Sequence, residues 1–160
     1  GEVAVNESGC KHLILRVSWV WSPPKHGFVS RVRARLLAGE ALTVVDDQIG
    51  APTSAHLVAE LTAQMLLPAM QQPALGTTYH LAPTGVTSLH SVAEHIAHAL
   101  RSQGHTMPPV AAEHSAQRPT AAGRPLNSRL STARLQNRFG ITLPAWETAL
   151  DEALLNWPVP

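Results

Sequence analysis

Two adjacent carboxylates, an amide, a glycine, a proline and a threonine fall within eight residues, Asp46-Asp47-Gln48-Ile49-Gly50-Ala51-Pro52-Thr53. Carboxylates in a connection are candidates for acid/base work, and loops held by rigid elements are where binding groups concentrate. Aspartate in a turn also has a purely local use, because its side chain hydrogen-bonds nearby backbone. A second group is cationic: Arg118, Arg124, Arg129, Arg134 and Arg138. A solvated face accounts for arginines at such spacings. Arg124 and Arg129, however, lie in a proline-rich loop and at a helix entry, where guanidinium forks can grip a phosphate through two parallel bonds. The third group is aromatic. Trp19 and Trp21 end an apolar run; alternation along a strand puts both on one face, and open α/β sheets bind ligands at the carboxyl ends of their strands. Core packing explains either tryptophan alone more readily than both.

Other chemistries lack their spacing. Nine histidines are present, with His95 and His98 three apart and His90 nearby. No HExxH or Cys/His ligand pattern accompanies them, so polar-face or core roles are expected and no metal is assigned. No glycine-rich phosphate turn and no GxSxG elbow occur, and the single Cys10 has no motif around it. The residues alone supply no complete catalytic set.

The elements that must position these groups alternate in type. Residues 2 to 8 read as the last turns of a helix ended by Gly9. His12 to Trp21 reads as one strand buried on both faces. After a loop at Pro23 to Gly27, Val29, Val32, Leu36 and Leu37 have helical spacing, with Arg31, Arg33 and Arg35 mostly on the other side and Gly39 closing the helix. Leu42 to Val45 is a short strand leading into the eight-residue motif. Thr53 or Ser54 caps a helix through Leu57, Val58, Leu61, Met65 and Leu66, which Pro68 and Pro73 should end. Thr77 to Leu81 is a strand, and Ser88 starts a helix with Val92, Ile96, Ala99 and Leu100 inside. Residues 104 to 127 read as an ordered loop layer. Ser131 to Arg138 is a short helix, and Pro144 opens the last one, with Trp146, Leu150, Leu154 and Trp157. Strands alternating with helices indicate an α/β fold.

The totals fit a globular chain. Its 160 residues are 44% hydrophobic and 14% charged, which allows one real core. Twelve basic and eleven acidic residues give a formal charge of +1 spread over both halves, so no field for nucleic acid is built. One cysteine permits no internal disulfide, no run approaches the ~20 residues of a spanning helix, and no signal-like segment opens the chain. A cytoplasmic setting, no nucleic acid and no membrane are the expectations. The opening Gly1-Glu2-Val3-Ala4-Val5 reads as the interior of an element, as in part of a longer chain.

Four segments carry a resemblance. Arg16-Val17-Ser18-Trp19-Val20-Trp21 resembles the RTSWVY segment of dTDP-4-dehydrorhamnose reductases, and Asp46 to Thr53 resembles that family's DDQxGxPT almost residue for residue. Tyr79-His80-Leu81 followed by Gly85 resembles its YHLxxxG, and Arg124-Pro125-Leu126-Asn127-Ser128-Arg129-Leu130 its RPxNSRL. Order and spacing fit over essentially the whole chain. Val17 stands for the usual Thr, Trp21 for Tyr, and Gly27 for the Asn before Phe28.

The resemblance implies an extended short-chain dehydrogenase/reductase that uses NADPH or NADH to reduce dTDP-4-dehydro-L-rhamnose. It implies that residues 1–160 are the C-terminal, substrate-binding portion. The fold would be the last strands of a Rossmann-like sheet with a small, mostly helical lobe. The cofactor turn and the YxxxK pair of the family are absent from this sequence. By resemblance Trp19 packs against the sugar and Ser18 lies near the nicotinamide. Asp47, Gln48, Pro52 and Thr53 of the motif, with Arg124, Ser128 and Arg129, line the nucleotide-diphosphate pocket. No catalytic residue is assigned here, and no bound cofactor is expected for this chain alone. An exposed sheet edge implies pairing with another copy. Two other readings share the motifs: a non-catalytic regulatory or scaffold member, resembling the regulatory subunit of methionine adenosyltransferase, and a reductase or epimerase of another nucleotide sugar. Given NADPH and dTDP-4-dehydrorhamnose, this chain by itself is expected to oxidise no NADPH in an absorbance assay; measurable turnover would overturn the assignment.

Overall fold

Apolar spacing decides the helices. The computed structural model describes residues 1–24, 27–71, 77–118 and 122–157. Within these, helix α1 spans Glu2–Glu7, α2 Gly27–Leu37, α3 Ala55–Met70, α4 Leu89–Ser102, α5 Ala133–Phe139 and α6 Trp146–Asn156. In α4 the stripe Val92, Ala93, Ile96, Ala97 and Leu100 is wholly buried, the 3.6-residue pattern of a core-facing helix. Serines start the two longest helices. Ser54 Oγ accepts from Leu57 N at 3.1 Å, and Ser88 Oγ from Ser91 N at 3.0 Å, each satisfying a first-turn donor. Gly140, with φ of 64°, closes α5, as a left-handed C-terminal cap does.

The strands are β1 (Leu13–Val17), β2 (Val20–Trp21), β3 (Leu42–Val45), β4 (Ile49–Gly50), β5 (Thr53–Ser54), β6 (Thr77–Leu81), β7 (Thr87–Ser88) and β8 (Val110–Glu113). They pair two by two. β1 runs parallel to β6 with Leu15 opposite Tyr79, β2 parallel to β5, β3 parallel to β8 with Leu42 opposite Val110, and β4 antiparallel to β7. Helices serve as the crossovers that parallel pairs require.

Two apolar cores result. One gathers α2, α4 and α6 against β3 and β8, with Leu36, Ile96, Leu100 and Leu150 fully buried. The other packs α3 and α5 on β1 and β6 through Leu61, Met65, Leu81 and Leu135. The motif of residues 46–53 runs between them.

Several expectations are corrected. The run from His12 to Trp21 is not one strand buried on both faces. It breaks at Ser18 and Trp19, where Trp19 takes φ of 48°, and β1 is half-buried to exposed. The chain there leaves its pairing with β6 and takes up β5 instead, so simple alternation does not relate Trp19 to Trp21. Arg33 is not on the solvent side. It is 4% exposed, stacks 5.0 Å from the Trp157 ring centroid and donates to the Trp157 carbonyl at 2.9 Å, tying α2 to the end of α6. Pro68 lies inside α3, which runs on to Met70. It sits in the last turn, where Leu67 and Met70 are exposed; its missing N–H costs one bond, and only Ala69 and Met70 of the helix follow it. Pro73 and the Lys25-His26 part of the first loop lie outside the described residues. Residues 104 to 127 are not loop throughout, since they contain β8 and a 3-10 turn at Ser115–Gln117.

The first core rests on α4. Ile96→Ala removes a fully buried side chain and is expected to lower unfolding free energy by about 2–5 kcal/mol. Leu155→Ala, at a position 77% exposed, is expected to change it by less than about 0.5 kcal/mol. Urea titrations followed by circular dichroism measure both.

Candidate functional site

A cavity of about 710 Å³ opens where β2, α2, β3, the start of α4, the motif, Ser115, Arg118, Gly123 and Arg124 meet. Its walls divide by chemistry. Trp19, Trp21 and Phe28 supply aromatic surface, and Arg31, Arg35, Arg118 and Arg124 supply four guanidinium groups. Gln48 and Ser115 add neutral polar atoms, and Pro52 closes the motif side.

The arginines are placed by ordinary helix and turn geometry. Arg31 and Arg35 are four apart on α2, hence neighbours on one face. Arg35 Nε donates to Glu40 Oε2 at 2.6 Å. Arg118 Nη1 donates to Glu113 Oε1 at 3.0 Å and to the Thr43 carbonyl at 3.3 Å, which holds the guanidinium beside β3. Among the described residues neither Arg31 nor Arg124 has a carboxylate partner. The cavity thus carries uncompensated positive charge against aromatic walls, which suits an anion joined to a flat or ring-shaped group.

Asp47 is spent internally. Its Oδ1 accepts from Ser115 Oγ at 2.6 Å and from Ser115 N at 3.1 Å, and its Oδ2 stands 3.0 Å from His114 Nδ1. The Ser115 hydroxyl, with burial opposing it and the Ser115 amide and His114 assisting, holds the carboxyl below the ordinary carboxylate range. An ionised, fully engaged carboxylate cannot serve as a proton donor at neutral pH; it pins the 114–117 turn to the motif. Gln48 Nε2 donates to Ser115 Oγ at 3.1 Å, completing the knot.

Of the residues singled out from sequence, Trp19, Trp21, Gln48, Pro52, Arg118 and Arg124 meet at this cavity. Thr53 is wholly buried, its hydroxyl donating to the Ala51 carbonyl at 3.3 Å. Ser128 and Arg129 line a separate hollow of about 40 Å³ with Gly50, and Arg129 Nε donates to Asn127 Oδ1 at 3.0 Å. Ser18 is half-buried at the end of β1 and does not line the large cavity. Sequence reasoning left out Arg31, Arg35, Phe28 and Ser115. One signal was available: like charges at i and i+4 on a helix are unfavourable, and Arg31 has no acidic neighbour at three or four residues. No three His, Cys, Asp or Glu side chains converge among the described residues, and among them no helix is long and apolar enough to cross a membrane.

Residues 1–157 match the family model for the RmlD substrate binding domain. The chain is 35% identical over 156 residues to a dTDP-4-dehydrorhamnose reductase of Salmonella typhimurium, covering 96% of this chain and 52% of that protein. A crystal structure of dTDP-4-dehydrorhamnose reductase from Bacillus anthracis in complex with NADP superposes with a TM-score of 0.79 at 28% identity, over 96% of this chain and 52% of the other. A UDP-N-acetylglucosamine 4-epimerase from Bacillus cereus shares the fold alone, at 14% identity and a TM-score of 0.67, over 99% of this chain and 51% of its own. The chain therefore spans about half the length of the relatives it matches, and its α/β architecture is that of the Rossmann-like short-chain dehydrogenase/reductase enzymes. Relatives hold NADP or NAD. Among the described residues, β1 leads into Ser18 to Trp21 and not a glycine turn, and Ser54 and Ser88 cap amides at the starts of α3 and α4. No step of hydride transfer is assigned to this chain.

The Asp47 knot has a pH signature. Its native pKa lies below the unfolded value near 3.8, so its contribution to stability is complete above that value and is lost as pH falls through the native pKa. Asp47→Asn is expected to melt at a lower temperature than the parent at neutral pH. In melts at a series of pH values that gap should close well below 3.8; a gap independent of pH would refute the knot.

Proposed function

This chain belongs to the RmlD substrate binding domain family, and from that premise we propose that it is the sugar-nucleotide-holding portion of an NAD(P)H-dependent reductase that converts dTDP-4-dehydro-L-rhamnose to dTDP-L-rhamnose. The observation that carries the reading is the cavity itself, with aromatic surface and four arginines around one volume. A nucleoside diphosphate sugar has matching parts. Its diphosphate takes bidentate guanidinium bonds, and its base and pyranose present faces to indole or phenyl rings.

Roles follow from position. Arg124 and Arg31, lacking internal partners among the described residues, grip the diphosphate. Arg118 and Arg35, already braced by carboxylates, set the field that draws the anion in. Trp19 supplies the stacking face for the sugar, and Gln48 and Ser115 offer neutral hydrogen bonds at the motif wall. Asp47 positions and does not transfer a proton. Thr53 buttresses the motif, and Ser128 and Arg129 hold its far side. Ser18 is the residue of this chain on the cofactor side. Residues 1–160 act as one substrate-binding unit, and the dTDP-sugar is its partner, met in the cytoplasm. Binding in this arrangement orients the sugar for chemistry supplied by the rest of the enzyme, the proximity contribution to catalysis.

Isothermal calorimetry decides it. This chain is expected to bind dTDP-rhamnose and to discriminate against UDP-glucose and GDP-mannose, with affinity falling as salt screens the arginines. Arg124→Ala should weaken binding by about tenfold or more, the scale of one charge-assisted contact. Equal affinity for the three nucleotides, or an Arg124→Ala variant that binds as the parent does, would overturn the reading.

A further inference from the structure

Glycine occupies position 50 although the backbone there does not need it. Gly50 is not among the residues with positive φ, and it lies in the β4 ladder opposite Thr87, where any residue could pair. What excludes a side chain is Trp19. A Cβ at position 50 would lie 2.8 Å from Trp19 Cε2, 2.9 Å from Cζ2 and 3.1 Å from Cδ2. Real Cβ atoms essentially never come within 3.0 Å of another atom, and the first two distances are shorter than that. Cε2 and Cδ2 are ring-fusion carbons, shielded in the ring plane by their neighbours, so an atom that close must approach from above the ring. Gly50 therefore meets a face of the indole.

The strand is not free to retreat. Gly50 is buried, and the strand holding it is clasped on both sides. Ile49 N donates to the Leu126 carbonyl and Ser128 N to the Ile49 carbonyl, each at 2.8 Å, while β7 pairs across from it. Trp19 is the non-glycine residue with positive φ among those described, and its carbonyl accepts from Thr53 N at 3.2 Å. Its half-buried ring lines the large cavity.

We propose that Gly50 is a positioning residue: its missing side chain seats one face of the Trp19 indole on the motif strand and so fixes the aromatic surface presented to the sugar ring of the bound nucleotide. This rests on the sugar-nucleotide reading above, and it adds that Gly50 acts on the ligand wholly through Trp19. An added methyl group displaces the ring and not the clasped backbone, because the ring has rotamers to move into and the strand has none.

Two measurements on this chain test the lock separately from the ligand. Labelled with 5-fluorotryptophan, the chain has four tryptophans, and Trp19→Phe identifies the Trp19 signal by its loss. Gly50→Ala is expected to shift that fluorine resonance while those of Trp146 and Trp157 stay in place; an unmoved Trp19 signal overturns the proposal. In calorimetry with dTDP-rhamnose, Gly50→Ala should bind about tenfold more weakly, the scale of one lost stacking contact, yet cause no further loss when added to Trp19→Ala. Additive losses would mean that Gly50 acts independently of the ring and would overturn it. If Gly50→Ala alone fails to fold, the double variant must fold, since the clash is gone; failure of both refutes the lock. If the parent binds no dTDP-sugar but the fluorine shift appears, the functional reading falls and the Gly50–Trp19 contact stands.

Discussion

Five consecutive residues of a connection, Gly50 to Ser54, are buried. Connections usually run over the surface because a buried backbone must have every polar group satisfied. Here the requirement is met by borrowing from three directions. Ile49 exchanges bonds with Leu126 and Ser128, Thr53 N reaches the Trp19 carbonyl, and Leu89 N donates to the Gln48 carbonyl at 3.4 Å. Pro52 helps by having no donor to satisfy. Since each lender belongs to a different part of the chain, the buried motif holds together β2, the entrance of α4 and the 126–128 segment, between two cores that otherwise pack separately. The cavity is the space left around this crossing.

The same crossing explains where charge ends up. A chain with a formal charge of +1 has little field to give, yet four arginines share one hollow. Asp47 does not line that hollow, and its oxygens are turned to Ser115 and His114. By holding the turn at Ser115–Gln117 it sets the place from which Arg118 reaches β3. Glu113 and Glu40 then temper Arg118 and Arg35. Exposed ion pairs of this kind contribute little to stability; their effect is to restrict where two long side chains point, which lowers the ordering cost of binding an anion.

How much of this could be read beforehand depended on whether the signal was local. The α4 stripe and the serine caps at Ser54 and Ser88 are local, and the sequence shows them directly. So is the density of polar groups in the motif. β8 is not local. Val110-Ala111-Ala112-Glu113 has one β-favouring residue, and it becomes a strand because β3 offers a parallel edge, which is tertiary context overriding propensity. Arg33 misleads for the opposite reason. Two positions from Arg31 and from Arg35, it lies on the opposite face of α2 beside Val29, Val32 and Leu36, where Trp157, 124 positions away in sequence, meets it; its charge and not its spacing misled. The break at Trp19 was hidden because an apolar run looks the same whether it pairs with one neighbour or changes neighbours midway. Arg31 and Arg35 are exposed, as a solvated face is, and only the approach of β3, Ser115, Arg118 and Arg124 makes that face one wall of a cavity.

One of these misses bears on the site. The Trp19 break lets the Trp19 carbonyl accept from Thr53 N, which ties the aromatic wall to the buried stretch Gly50 to Ser54. A buried, backbone-satisfied crossing is rigid, because moving it would strand several amides at once. Rigidity is of use to a ligand with two dissimilar ends. Gripping a diphosphate and stacking a sugar at the same time demands that the two walls keep their separation. A mobile loop would have to be ordered on each binding event at the ligand's expense. The eight residues whose carboxylates first suggested acid/base chemistry therefore matter most for their main chain: they set the distance between an arginine wall and an indole.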